Sequence, residues 1–290
     1  MVNNKQYFYY ILPAFIFVLM VTIIPIFGTI SLSTLSYSIA QPDQTRFTGL
    51  NNYFKLFQDP RFLNSCLVML LLILIPVTIQ MILGFMLALA LNGKLFGTNW
   101  MRLFFLCPAV IPPIVIGLIW KLFLIPGAGG LSYFVQKIGF SGPDLLSQPS
   151  TALFAIIVAA IWTGTPLVTL MLLSGMETIP TSSYEAASID GASWAQRHRI
   201  ITLPFIISVS KTVIIFRILE ALAIFPVIFV LTGGGPAGAT EPINYYAYVT
   251  AFRYFKFDYA ATIIVVFFVL LMMLSFPFLK SVINGKKGEL

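Results

Sequence analysis

Six long runs that are almost free of charged side chains constrain this chain more than any other feature. They lie at about 7–33, 66–91, 103–125, 152–174, 205–231 and 259–280. A bilayer core roughly 30 Å thick takes about 20 apolar residues of helix to cross, so each run is long enough to span it. Backbone polar groups have no water to bond in lipid, and a helix satisfies them internally. The prediction is an all-α integral membrane protein with six transmembrane helices, both termini on one side, and residues 1–290 forming a single transmembrane domain. Composition agrees, since 59% of the residues are hydrophobic and 9% charged, outside the range of soluble domains. The net charge of +7 points to no nucleic acid, because basic residues in such chains act as topology signals and contacts to membrane lipid.

Between the runs the chain has two kinds of loop. Residues 34–64 and 126–150 are polar or rich in Gly, Pro and Ser, and fall on one side. Ser38-Ile39-Ala40 resembles a signal cleavage site, but the preceding apolar stretch is about twice the usual 7 to 15 residues, so a retained first helix is expected. Pro108, Pro112 and Pro113 break the third run near its start. Cys66 and Cys107 fall near opposite faces of the membrane, which predicts no disulfide between them. Lysine and arginine number eight on the terminal side and seven on the other, a bias too small to orient the protein.

The loop between the fourth and fifth runs, residues 180–204, is a polar island that reads as two short helices around a sharp corner. Ser182 with Glu185 has the spacing of a capping box. Gly191 supplies a residue able to adopt positive φ, Ser193 can cap the second helix, and Pro204 ends that helix or passes into the next span. Ala186, Ala187 and Ser188 keep the corner slim enough to enter a cleft on a partner.

Glu185-Ala186-Ala187, three residues, Gly191, nine residues and then Ile201-Thr202-Leu203-Pro204 resemble the EAA loop of permease subunits of binding-protein-dependent ABC importers. Arg102 with Pro108 and Trp120, Trp162 with Pro166, Met176 to Pro180 and Thr232 to Pro236 extend the resemblance over most of the chain. Together they are similar to the carbohydrate-uptake branch that includes maltose and glycerol-phosphate permeases. The resemblance implies that Glu185, Ala186, Ala187, Asp190 and Gly191 form a cytoplasmic coupling helix in a cleft of an ATPase. It also implies a separate ATPase dimer carrying ATP and Mg, a second and different permease subunit, an extracytoplasmic solute-binding protein, and a bacterial-type cytoplasmic membrane with both termini inside. The chain itself carries no phosphate-cradling Gly-x-x-x-x-Gly-Lys-Ser/Thr stretch, and Gly233-Gly234-Gly235-Pro236 lacks the lysine, so no cofactor is expected on it.

Charged residues at membrane depth are costly and usually face a bundle interior or a wet cavity. Lys211, about 10 Å of helix from Pro204, can snorkel to the surface, whereas Arg217 lies near mid-bilayer. Arg217 and Glu220 are three apart and can pair on one face, either as a structural ion pair or as a polar lining for a solute path. The family lines its sugar site from the helices flanking the EAA loop. The matching positions here are Thr163, Gly164 and Leu167, then Arg217, Ala221 and Ile224, the second set forming one helical stripe. Ala221 and Ile224 stand where maltose-type sites offer amides, and Pro226 where the family often has an acid. Arg217 favours a sugar acid or phosphate, while Glu220 would neutralise it. Trp120, Trp162 and Phe225 can stack on sugar rings or serve as packing and interface anchors.

With His198 as the single histidine, two separated cysteines and no acidic cluster, neither a metal site nor a catalytic constellation is expected. His198, beside Arg197 and Arg199, is read as solvated or ATPase-facing. The alternative from another class is an ion-coupled secondary transporter using Arg217 and Glu220, and a more distant one is an intramembrane enzyme.

Overall fold

The computed structural model describes residues 4–39, 41–92, 105–140, 142 and 144–285. Ala40, Gly93, Lys94, Arg102, the start of the third span and the basic residues Lys286 and Lys287 lie outside these. In chain order the helices are α1 (Asn4–Ser33), α2 (Asn51–Phe57), α3 (Pro60–Leu91), α4 (Pro113–Phe123), α5 (Gly130–Lys137), α6 (Pro149–Glu177), α7 (Thr181–Ile189), α8 (Trp194–Arg197), α9 (Leu203–Leu222), α10 (Phe225–Leu231), α11 (Ile243–Phe252) and α12 (Phe257–Gly285). Residues 105–110 are also helical. The only β structure among the described residues is a short antiparallel pair, Leu35–Ser36 with Arg46–Phe47.

Four helical stretches are long and apolar enough to cross a membrane: Tyr10–Ser33, Pro60–Leu91, Pro149–Glu177 and Trp194–Leu222. The second span starts at Pro60, earlier than the apolar run, because proline suits a first helical turn whose N–H groups have no partner anyway. The third is interrupted at Ile111 and Pro112, and α4 restarts at Pro113. The fifth, expected as one helix from 205 to 231, is two. Pro226 has no N–H to give the Leu222 carbonyl, so α9 stops at Leu222 and α10 begins with Pro226 in its first turn.

The chain divides into two compact units, Met1–Leu63 with Ile243–Leu290, and Asn64–Pro242. In the first, α1, α2 and α11 each pack on α12. Its extramembrane loop is ordered by side chains: the buried Asn52 amide donates to the carbonyls of Ser33 at 3.1 Å and Leu35 at 2.8 Å, and Thr262 donates to the Ser33 carbonyl at 3.2 Å. In the second, α4 packs on α10 and α9 on α6. Ala88 and Leu91 of α3, Val168, Leu172 and Met176 of α6, and Ile206 and Val213 of α9 close one core. At Gly84 a Cβ would sit 2.5 Å from Val168 Cγ1, so glycine lets α3 and α6 approach.

Candidate functional site

The second unit holds two features joined by one helix, a corner at residues 180–204 and a cavity part-way along α9. Helix α7 starts at Pro180, which caps it without a side-chain bond, so Ser182 lies inside the first turn and the capping box expected there does not form. The reason is positional: with Pro180 as the cap the helix starts two residues too early for Ser182 to act as one. At the other end Gly191 takes φ +77°. The Ala192 N–H donates to the Ala187 carbonyl at 2.9 Å and the Gly191 N–H to the Ser188 carbonyl at 3.1 Å, a Schellman closure. A Cβ at Gly191 would have no atom within 4 Å, so the demand for glycine there is conformational rather than steric.

Helix α8 opens with a capping box, the Ser193 N–H donating to Gln196 Oε1 and the Gln196 N–H to Ser193 Oγ. The two arms are cross-tied, with Arg197 donating to Ser188 Oγ at 2.7 Å. Tyr184 Oη and His198 Nδ1 each lie 2.8 Å from Thr202 Oγ1, which is fully buried. His198 also packs edge-on against Trp194 at 4.4 Å. It is therefore half-buried and bonded within the corner rather than simply solvated. Glu185, Ala186 and Asp190 are exposed, Ala187 is half-buried, and Ile189 at the tip is 87% exposed. From the corner the chain runs through a π-helical turn, His198–Thr202, into α9. Pro204 passes into the next span and does not end the helix; the Leu203 N–H bonds the His198 carbonyl instead.

Thirteen residues along α9 from Pro204, about 20 Å of helix, stands Arg217. It is 5% exposed, and its Nε donates to Gln80 Oε1 at 2.9 Å. Gln80 Nε2 in turn donates to the Ala160 carbonyl of α6 at 2.8 Å. Arg217 also pairs with Glu220, whose side chain is 53% exposed. The guanidinium is thus inside the protein with its charge met on both sides, and the group turned to solvent is the carboxylate.

This triad borders a cavity of about 320 Å³. Thr163, Glu220, Ala221 and Ile224 line it with Arg217 and Gln80, opposite the prolines of the broken third span, Pro108, Pro112 and Pro113. Thr163 turns its hydroxyl back to the Ala159 and Ala160 carbonyls. Gly164 sits behind the wall: a Cβ there would lie 2.2 Å from Arg217 Nη2 and 2.4 Å from Gln80 Nε2. Gly164→Val is expected to lower the thermal unfolding midpoint in detergent, at an overpacking cost of about 1 to 3 kcal/mol, while Thr163→Val changes it little.

Ile224 is at the break between α9 and α10, so the stripe of Arg217, Ala221 and Ile224 is carried by a helix end and a turn, not by one continuous helix. Trp162 and Leu167 are not among the lining residues. Trp162 meets Trp120 edge-on at 6.1 Å, and Phe225 stacks on Phe229 at 5.8 Å, so these rings are engaged in packing. Lys211 is exposed on α9. Both cysteines are free. Sequence reasoning missed Gln80, although an amide in the middle of an otherwise apolar span is the signal that would have found it.

The profile of the binding-protein-dependent transport system inner membrane component family matches residues 80–287. The trehalose/maltose transport system permease protein MalF of Thermococcus litoralis is 36% identical over 273 residues, covering 93% of this chain and 91% of that one. The sulfoquinovosyl glycerol transport system permease protein SmoG of Agrobacterium fabrum is 32% identical, covering 93% and 88%. Among solved structures, a bacterial ABC transporter involved in the import of the acidic polysaccharide alginate matches with a TM-score of 0.81 at 21% identity, over 93% of this chain and 92% of that one. At that identity the likeness concerns the fold.

Proposed function

This chain belongs to the binding-protein-dependent transport system inner membrane component family, and from that premise we propose that it is one of two permease subunits lining the path of an ATP-driven sugar or oligosaccharide importer. Residues 180–204, with Glu185, Ala186, Ala187, Asp190 and Gly191, insert into a cleft of a separate ATPase dimer, which binds ATP and Mg. A second, different permease subunit completes the path, and an extracytoplasmic binding protein delivers the solute. Termini and corner are cytoplasmic.

The carrying observation is the continuous route from the capped corner along α9 to the triad at the cavity. A rigid helix moves as one body, so displacement of the corner by a closing ATPase reaches Arg217 and Glu220 directly. The break at Ala223 and Ile224 lets α10 stay behind, which opens or closes the wall between them. Thr163, Gly164, Arg217, Glu220, Ala221 and Ile224 border the solute path in this reading, with Gln80 holding Arg217 in place. Trp162 and Leu167 serve the path from outside this cavity.

The sugar assignment rests on the trehalose/maltose and sulfoquinovosyl glycerol relatives. Affinity purification of this chain from its native membrane is expected to retain an ATPase and a second permease. Proteoliposomes holding that complex should take up labelled trehalose or maltose only with ATP and binding protein. Uptake driven by an ion gradient with no ATPase bound would overturn the reading.

A further inference from the structure

The first unit contains a polar cavity of about 980 Å³ that the transport reading does not use. Its lining residues sit where three spans end: Ser36 just past α1, Asp59 and Arg61 on either side of the first residue of α3, and Asp258 and Tyr259 in the first turn of α12. Helix ends of membrane spans lie at headgroup depth, so this cavity opens into the interfacial layer. Phe54, Tyr254 and Phe255, each more than half exposed, form an aromatic belt beside it.

The charged groups facing the cavity are Lys55, Arg61, Lys256, Asp59 and Asp258. Both carboxylates are spent within the protein. Asp59 accepts from Tyr246 Oη at 2.6 Å, Tyr259 Oη at 2.8 Å and the Arg61 N–H at 2.9 Å. Burial raises the Asp59 carboxyl, but these bonds outweigh it and hold it below its ordinary value, so it stays an anion with its lone pairs occupied. Asp258 accepts from the N–H groups of Tyr37 and Tyr259.

Two ring faces are taken as well, since the Arg61 guanidinium lies 4.8 Å from the Tyr246 centroid and 5.4 Å from that of Tyr254. A sugar needs free acceptors as well as ring faces, and both carboxylates of this site are already occupied. What it leaves uncommitted are the ammonium groups of Lys55 and Lys256.

We propose that this cavity binds the phosphate oxyanion of an anionic phospholipid headgroup. Lys55 and Lys256 neutralise the phosphodiester, and Arg61, fixed between two rings, supplies the positive floor. The acyl chains follow the exposed aromatic residues into the bilayer. The site is independent of the solute path.

The test uses the intact transporter complex, delipidated in detergent and titrated separately with phosphatidylglycerol, phosphatidylcholine and inorganic phosphate. Retained lipid is read by native mass spectrometry, and protection by the thermal unfolding midpoint. Phosphatidylglycerol is expected to be retained and to raise the midpoint, phosphatidylcholine to do neither. The Lys55→Ala/Lys256→Ala variant should bind phosphatidylglycerol at least about tenfold more weakly while its lipid-free midpoint stays at the wild-type value, since both side chains are exposed. Equal binding of the two lipids, or unchanged phosphatidylglycerol binding by the variant, would overturn the proposal. Equal protection by millimolar inorganic phosphate would overturn the lipid source in favour of a soluble oxyanion.

Discussion

Gly191→Pro is expected to abolish ATP-driven uptake, a loss of at least about a hundredfold or roughly 2.7 kcal/mol of coupling, while leaving the membrane core folded. Gly191 sits at φ +77°, and proline locks φ near −65°, so the corner between α7 and α8 cannot close. Proline also removes the N–H that bonds the Ser188 carbonyl, half of the Schellman closure. The core of α3, α6 and α9 contains none of these residues, so the unfolding midpoint should hold. Two milder variants isolate the cause. With no atom near a Cβ at 191, Gly191→Ala meets no clash and costs about 1 to 2 kcal/mol of left-handed strain. Gly191→Asn should come closest to wild type, because asparagine tolerates that conformation. Uptake by reconstituted complexes and retention of the ATPase are the measurements. Wild-type transport by the proline variant would end the coupling role of the corner.

The corner and the cavity were not equally legible in the sequence. Apolar run length located four helices long enough to cross a membrane, because membrane thickness sets helix length. Gly191 and Ser193 were readable because their roles are local, set by the backbone within three or four residues. Ser182 misled for the same local reason: Pro180 starts α7 first. The break in the fifth span shows a different limit. Pro226 stands where the family often has an acid, yet hydropathy runs straight through it, and only the backbone shows that the helix stops four residues earlier. For Gln80 it was the pairing, not the residue, that lay beyond reach. Its partner Arg217 is 137 residues away, and periodicity along one helix cannot show what a different helix brings alongside. The pairing of Arg217 with Glu220, three apart on one turn, was accessible because it needs no tertiary information.

What the triad does is decided by a double-mutant cycle on that pair. Glu220→Ala leaves the buried Arg217 guanidinium bonded to Gln80 but without its counter-charge, and removing one side of a buried pair costs about 3 to 5 kcal/mol. Because the Glu220 side chain is half exposed, water screens the pair, and a loss of about 2 kcal/mol is the expected value. Arg217→Met leaves Gln80 Oε1 without its donor, at about 1 to 3 kcal/mol. The double variant should lose less than the sum, since neither charge is then left alone, with a coupling of about 1 kcal/mol read from thermal or denaturant unfolding in detergent. Transport separates two explanations that stability alone cannot. A triad that merely pins α9 to α3 can be replaced by an apolar pair, and uptake returns with the fold. A triad that borders the path presents a carboxylate to the solute, and an apolar pair then folds but does not transport. The second outcome is expected, because the exposed charge at the cavity is Glu220, while Arg217 and Gln80 line it as buried groups bonded to each other. Glu220→Gln, which keeps the hydrogen-bonding shape and drops the charge, should therefore recover more uptake of a neutral disaccharide than Glu220→Ala. Recovery of full uptake by the apolar pair would assign the triad to packing.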